Sequence, residues 1–420
     1  MSRPHPNWRQ RIRADIARNR ERIRELGPGV ITGGAGDDPA GIVTYTLVGA
    51  STGFGLLWLM LLSTPMMIAV QNSVTRIALV TGKSLPELTN AFYSRRLTTL
   101  MVLLLATTNI LTIGADLQAL AAILSITLGW PPVYFLIPLT ALIAWLVLYH
   151  SYHTVKRVLV ALTAVLAVYI VNVFLARPDW SAILANTFLP QVHTDWAWVM
   201  AALGLLGTTI SPYLLFWQAA EEEEEKKTVV QAKSVEADTI IGMTYSNLLA
   251  YCMIVSGAVM LYGHGAQIQT MADLAQALRP VSPDHAFALF AVGVVVSGLL
   301  AIPVLAGSTA YAVADAFGWR RGMDNKVSDA RGFYLVFLGA MLFGDLIDMS
   351  SVSPVDALFY SQVLNGVLLP VLIAIVLALA NNRQIMGEHV NTRFDNALSL
   401  FTLAVTTTLT GLLLWQWLGG

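Results

Sequence analysis

The sequence predicts an all-α membrane protein of eleven transmembrane helices, arranged as two five-helix repeats of opposite orientation with helices 1 and 6 broken at mid-membrane. Three observations carry this. Of the 420 residues 56% are hydrophobic and 12% charged, about half the charged share of a soluble domain. Apolar stretches long enough to cross a hydrocarbon core of roughly 30 Å recur along the whole chain. The first and sixth of them each carry a proline at mid-depth, in Asp38-Pro39 and Ser211-Pro212.

The spans follow in order. The first, Leu26 to Ala50, is interrupted by Asp37 and Asp38, and its glycines and Pro39 make a continuous helix unfavourable. Charge-free runs come next: Phe54 to Thr75, Leu97 to Ala115, Pro132 to Tyr149, Val158 to Ala176, Trp196 to Ala220, Thr239 to Tyr262 and Ala286 to Ala314. Gly332 to Ile347, holding Asp345, is the ninth; Ala357 to Ala380 and Asn396 to Leu418 complete the set. Gly49, Gly53 and Gly55 read as the turn between spans one and two. With five spans in each half, spans one and six correspond, and an odd number per half inverts the second. The units are then a basic cytoplasmic segment (1–26), a first repeat (27–176), an extracytoplasmic loop (177–195), a second repeat (196–380), and a cytoplasmic loop with the eleventh helix (381–420).

Loop charge sets the orientation, because Lys and Arg are retained on the cytoplasmic side. With the N-terminus inside, 23 of the 25 basic residues fall in cytoplasmic segments, and only Arg177 and Arg279 lie outside. The C-terminus is then extracytoplasmic, and a multi-pass protein of a bacterial inner membrane is expected. Residues 1–26 read as an Arg-rich membrane-surface helix. The run Glu221 to Glu225 reads as a solvated helix end beside Lys226 and Lys227. A net charge of -1 gives no basic surplus for nucleic acid, and the single Cys252 rules out an internal disulfide framework.

Ionisable residues at membrane depth are costly and mark function. Asp37, Asp38 and Asp116 are the deep acids; Asp345 and Asp348 read as a solvated outer helix end and Asp315 lies at the inner end of span eight, with no Lys or Arg deep in any span. Paired broken helices at repeat-equivalent places point to a substrate site at the midplane, where unwound carbonyls and a carboxylate hold a cation.

At these residues the chain resembles the NRAMP family of divalent-metal transporters, which share the LeuT-type inverted-repeat fold. The resemblance rests on Gly27-Pro28, on Asp38-Pro39-Ala40-Gly41 in place of Asp-Pro-Gly-Asn, and on Thr44. Gly114-Ala115-Asp116-Leu117, Ser361-Gln362-Val363 and Leu369-Pro370 extend it. The Met-Pro-His-Asn motif of span six is here Ser211-Pro212-Tyr213-Leu214. The resemblance implies a metal site built from Asp38 and the carbonyls of Ala35 and Thr208. Ser211 stands where the family has a thioether and Gly41 where it has an asparagine. Oxygen ligands suit hard ions such as Mg²⁺ and Mn²⁺, so the altered site resembles that of the NRAMP-related magnesium transporters. Asp37 either adds a second carboxylate to the metal set or lines the vestibule. Asp116 either stands on a proton route, as the resemblance implies, or is a hydrogen-bonded member of the bundle. Tyr213 and Gln218 replace the family's span-six histidines and Ala119 an acid, so little proton coupling is expected. The expected function is a secondary transporter importing a divalent metal cation by alternating access, with no cofactor and no enzymatic activity. A LeuT-type symporter of an organic solute such as an amino acid is the alternative; an anionic group there would meet two acids and no base.

Overall fold

The computed structural model describes residues 33, 36–149, 164–224, 232–263, 268–323, 325–347 and 352–419. The basic N-terminal segment, Ala35, residues 225–227 and Asp348 lie outside them. Among the described residues the secondary structure is helical throughout. The chain runs first through α1 (Pro39–Thr52), α2 (Leu57–Thr81), the short α3 (Leu85–Phe92), α4 (Arg95–Leu128), α5 (Val133–Tyr149) and α6 (Val168–Ala176), the last preceded by a 3-10 turn. After α7 (Trp180–Phe188) come α8 (Trp196–Thr209), α9 (Pro212–Glu224), α10 (Ala232–Leu261), α11 (Met271–Ala275) and α12 (Ala286–Phe317). The chain closes with α13 (Arg331–Ile347), α14 (Pro354–Ala380), α15 (Arg383–Met386) and α16 (Arg393–Trp417).

Each expected span therefore contains a helix. Among the described residues α2, α4, the α8–α9 pair, α10, α12, α14 and α16 are long and apolar enough to cross a membrane, and α5 and Ala164–Ala176 are shorter apolar helices. The helices begin where short polar side chains can cap them: Ser84, Ser94, Asp195, Ser353 and Thr392 each accept a backbone N–H of the first turn, which satisfies donors the helix itself leaves free. Pro65, Pro303 and Pro370 sit inside α2, α12 and α14, as expected of prolines tolerated within membrane helices, and so does Pro138 inside α5.

Packing sorts the helices into two groups. In one, α1 lies against α10 and α8, and α2 against α10 and α9; in the other, α4, α12 and α13 pack on one another, with α5 on α4. Helix α14 touches both groups through α8, α1, α2 and α4. The α8–α9 pair is central: all of its apolar window is buried, against 28% for α16.

Glycines bring the closest pairs to backbone contact. A methyl on Gly49 would run into the backbone of Ile254 and Ala258 on α10, and one on Gly257 into Thr46 on α1. Gly207 on α8 meets Gln362 and Gly366 on α14 in the same way. Gly49 is thus a packing residue inside α1; the turn after α1 is made by Gly53, whose φ of 58° a side chain would strain, with Gly55 two residues on. Four residues separate the two roles, and no local signal distinguishes them.

Backbone cannot retreat as a side chain can, so Gly207→Ala is expected to cost about 1–3 kcal/mol of overpacking. Gly339→Ala in α13, where a methyl meets nothing within 4 Å, is expected to be neutral or to gain up to about 1 kcal/mol of helix propensity. Heating detergent-solubilised protein and scoring the surviving monodisperse fraction by size exclusion checks the pair; equal midpoints would show that α8 and α14 part without cost.

Candidate functional site

The chain leaves helical geometry at Gly36-Asp37-Asp38 and re-enters it at Pro39. Proline suits the first helical position because its missing N–H would be unpartnered there. Asp38 caps the new helix with extended backbone (φ -64°, ψ 169°), and its Oδ1 accepts the N–H of Gly41 at 2.5 Å. The N–H of Ala40 donates to Asp116 Oδ1 on α4 at 3.1 Å. Two carboxylates therefore take up the free donors of a helix start buried in the membrane. The partner break is made of carbonyl ends: α8 stops at Thr209, Ile210 turns away, and the Ser211 hydroxyl donates to the carbonyls of Thr208 (2.6 Å) and Gly207 (3.2 Å). Pro212, which cannot continue the α8 hydrogen-bond ladder, opens α9.

These two breaks face each other. The point at which a side chain would leave Gly41 lies 2.9 Å from Asp38 Oδ1, 2.9 Å from Thr208 Oγ1 and 3.1 Å from the Gly36 carbonyl oxygen. Asp38, Gly41, Thr208 and Ser211 are all buried. Tyr213 donates to Asp38 Oδ2 at 3.4 Å, a long bond, and the Tyr45 hydroxyl pairs with Thr209 Oγ1 at 3.1 Å. Asp37 is equally buried, its two oxygens have no hydrogen-bond partner at full geometry, and its neighbours include Ser246 and Tyr245 of α10 and Tyr169 of α6. Among the described residues no Lys or Arg pairs with Asp37, Asp38 or Asp116. An uncompensated carboxylate at such depth costs several kcal/mol, which a bound cation would offset.

Beyond the breaks, Gln218 sits in a closed polar knot. It accepts from Gln71 Nε2 at 2.5 Å and donates to Thr75 (2.8 Å) and Thr239 (2.7 Å), joining α9 to α2 and α10. A histidine proton relay has no counterpart here: among the described residues His193, His285 and His389 are exposed.

Asp38, Gly41, Thr208 and Ser211 thus come together from positions up to 173 apart in numbering, flanked by Pro39 and Pro212. Asp116 is one hydrogen bond away through Ala40, Asp37 faces a different set of side chains, and Ala35 lies outside the described residues. Reading residues singly missed the Thr208 hydroxyl, the Gln71–Gln218 pair and the unpartnered Gln362 Nε2 on α14. Two expectations are corrected. Glu221 and Glu222 are buried, while Glu223 takes a bond from Arg321 and Glu224 one from Tyr311, both at 2.5 Å, so the acidic run packs against α12 and its following loop. Asp345 is 7% exposed and accepts from Thr140 of α5 at 2.9 Å, because α13 turns it toward α5 rather than to solvent.

The model of the Nramp family, natural resistance-associated macrophage protein-like, matches residues 29–416. Similar sequences include the divalent metal cation transporter MntH of Caldanaerobacter subterraneus, 24% identical with 95% of this chain and 94% of that protein covered. The MntH of Deinococcus radiodurans is 27% identical, with 94% and 90% covered. Among solved structures, the Eremococcus coleocola manganese transporter in complex with an aromatic bis-isothiourea substituted compound superposes with a TM-score of 0.78 at 18% identity, over 98% of this chain and 88% of that one. Mhp1, a nucleobase-cation-symport-1 family transporter, gives 0.61 at 12% identity over 92% of each chain. At these identities the superpositions speak for the fold, which is the LeuT-like arrangement of broken helices. With the family model spanning nearly the whole chain, the protein belongs to the Nramp family.

Proposed function

We propose that this chain is a secondary transporter that imports a divalent metal cation, Mg²⁺ or Mn²⁺, by alternating access. The observation that carries the reading is the Asp38 carboxylate, buried at the meeting of two broken helices with oxygen atoms around it and no basic partner among the described residues. The named divalent metal cation transporters similar over nearly the full length support it. Ser211 in place of a thioether leaves hydroxyl, carbonyl and carboxylate oxygens, the donor set that hard ions prefer. Mg²⁺ keeps several waters, and the glycine at position 41 leaves space beside Asp38 that a side chain would fill. In this reading the repeats are 27–176 and 196–380, the N-terminus is cytoplasmic, the C-terminus extracytoplasmic and the membrane a bacterial inner one. A dication moving down an inside-negative potential gains about 4.6 kcal/mol per 100 mV, so uptake needs no second ion to be driven. No cofactor and no enzymatic chemistry are required.

Asp38→Ala is expected to reduce Mg²⁺ and Mn²⁺ uptake into proteoliposomes to the level of empty vesicles while the protein stays monodisperse. Uptake at the wild-type rate would sink the reading, and accumulation of a labelled amino acid without metal would favour the organic-solute symporter instead.

Proton coupling is expected to be weak. A pH-sensitive dye trapped inside the vesicles should report little acidification as metal enters at zero potential. Asp116→Asn, which keeps an oxygen acceptor for the Ala40 N–H, should transport metal within about fivefold of wild type, since a neutral hydrogen bond differs from a charged one by only about 1 kcal/mol. Acidification in proportion to metal entry, lost in Asp116→Asn, would restore Asp116 to a proton route.

Ser211→Met is expected to raise the ratio of Cd²⁺ to Mg²⁺ affinity by roughly tenfold, about 1.4 kcal/mol, as a soft ligand replaces an oxygen. Calorimetry on purified protein reads the ratio; an unchanged value in a transport-competent variant would remove Ser211 from the ion's surroundings.

A further inference from the structure

We infer that the side-chain hydroxyl of Thr208, and not only its main-chain carbonyl, faces the cation as an oxygen ligand, and that the glycine at position 41 is what opens the space for it. The inference rests on the reading of this site as a divalent-cation site and adds to it a residue that determines ion preference.

Four observations carry it. Threonines within these helices regularly donate to the carbonyl four residues back, as Thr46 does to Ile42 (2.8 Å), Thr209 to Leu205 (2.6 Å) and Thr406 to Thr402 (2.8 Å). This bond is the ordinary resting place of a hydroxyl that water cannot reach. Thr208 makes no such bond: its Oγ1 is fully buried and has no hydrogen-bond partner. The Tyr45 hydroxyl lies beside both threonines; it pairs with Thr209 Oγ1 at 3.1 Å and approaches the Thr208 hydroxyl without a well-formed hydrogen bond to it. A buried hydroxyl left unsatisfied costs about 1–3 kcal/mol, so an arrangement that keeps it is explained by a ligand that completes it.

The direction of the hydroxyl supplies the second half. Thr208 Oγ1 and Asp38 Oδ1 each stand 2.9 Å from the point where a side chain at position 41 would begin, and the Gly36 carbonyl oxygen stands 3.1 Å from it. Three oxygens from two broken helices thus converge over Gly41. The Thr208 carbonyl, by contrast, already accepts the Ser211 hydroxyl at 2.6 Å. Carboxylate, hydroxyl and carbonyl oxygens together, with no sulfur or nitrogen at positions 38, 41, 208 and 211, select hard cations. The hydroxyl is short enough to reach either the ion or a water that Mg²⁺ retains.

Calorimetric titration of the purified full-length protein with MgCl₂ and with MnCl₂ tests this. Thr208→Val keeps the β-branched shape and the carbonyl and removes only the hydroxyl; it is expected to weaken Mg²⁺ binding about tenfold, with Mn²⁺ less affected because Mn²⁺ accepts nitrogen and softer donors more readily. Thr208→Ser restores the hydroxyl and should bind within about twofold of wild type. Gly41→Ala gives an independent arm: its methyl would occupy the convergence point and should weaken Mg²⁺ binding as Thr208→Val does. Wild-type affinity in Thr208→Val or in Gly41→Ala, or lost binding in a monodisperse Thr208→Ser, would overturn the inference. Loss of binding in Asp38→Ala alongside intact binding in Thr208→Val would remove the Thr208 hydroxyl and leave the cation-site reading standing. No binding of either ion to the wild-type protein would remove both.

Discussion

A helix that stops inside a membrane exposes backbone donors and acceptors where no water can reach them, and each one left bare costs several kcal/mol. The rest of this structure depends on how that constraint is met. Asp38 takes the N–H of Gly41, Asp116 takes that of Ala40, and Ser211 closes the carbonyl end of α8. The groups that make the breaks tolerable are polar, buried and directed to one place. In physical terms the breaks and the site are a single solution, because a carboxylate that caps a helix start with one oxygen still has lone pairs to offer beside it.

Packing explains why such a place survives in an apolar bundle. Helices α1 and α10 are held at backbone contact through Gly49 and Gly257, and α8 and α14 through Gly207 and Gly366. Side chains that would bridge wider gaps are absent there, so α1 stays close on α10 and α8 close on α14. Farther along α9, Gln218 binds Gln71, Thr75 and Thr239, and the acidic end of the same helix is tied to Tyr311 and Arg321. Gln218, Gln71, Thr75 and Thr239 thus satisfy one another, while Thr208 Oγ1 and one oxygen of Asp116 have no hydrogen-bond partner beside Asp38.

Much of this was legible in the sequence, for local reasons. A span is a run of residues, a break is a proline or glycine within it, and both can be read without knowing what lies alongside. The positions of Asp38, Pro39, Ser211 and Pro212 followed in that way. What could not be read depends on partners far away in the chain. Asp345 looked like a solvated helix end because Thr140, its hydrogen-bond donor, belongs to another span. Glu221 and Glu222 looked exposed because a charge run usually is, and only the course of α9 against α12 buries them. The state of the Thr208 hydroxyl is a rotamer, and a rotamer chosen by tertiary contact leaves no trace in residue order.

The side chain of Arg76 near the end of α2 reaches Glu236 on α10 at 3.1 Å and Asp395 on α16 at 3.0 Å, with Asn391 at 3.3 Å. Asn391 in turn donates to Ser73 at 2.8 Å. Helix α16 keeps most of its apolar surface exposed, yet its first turn neutralises a guanidinium on α2. Removing α16 would therefore do more than uncover an apolar face. It would leave Arg76 with one acid where it now has two, so the last helix of the chain is also part of the charge balance of the helices it packs against.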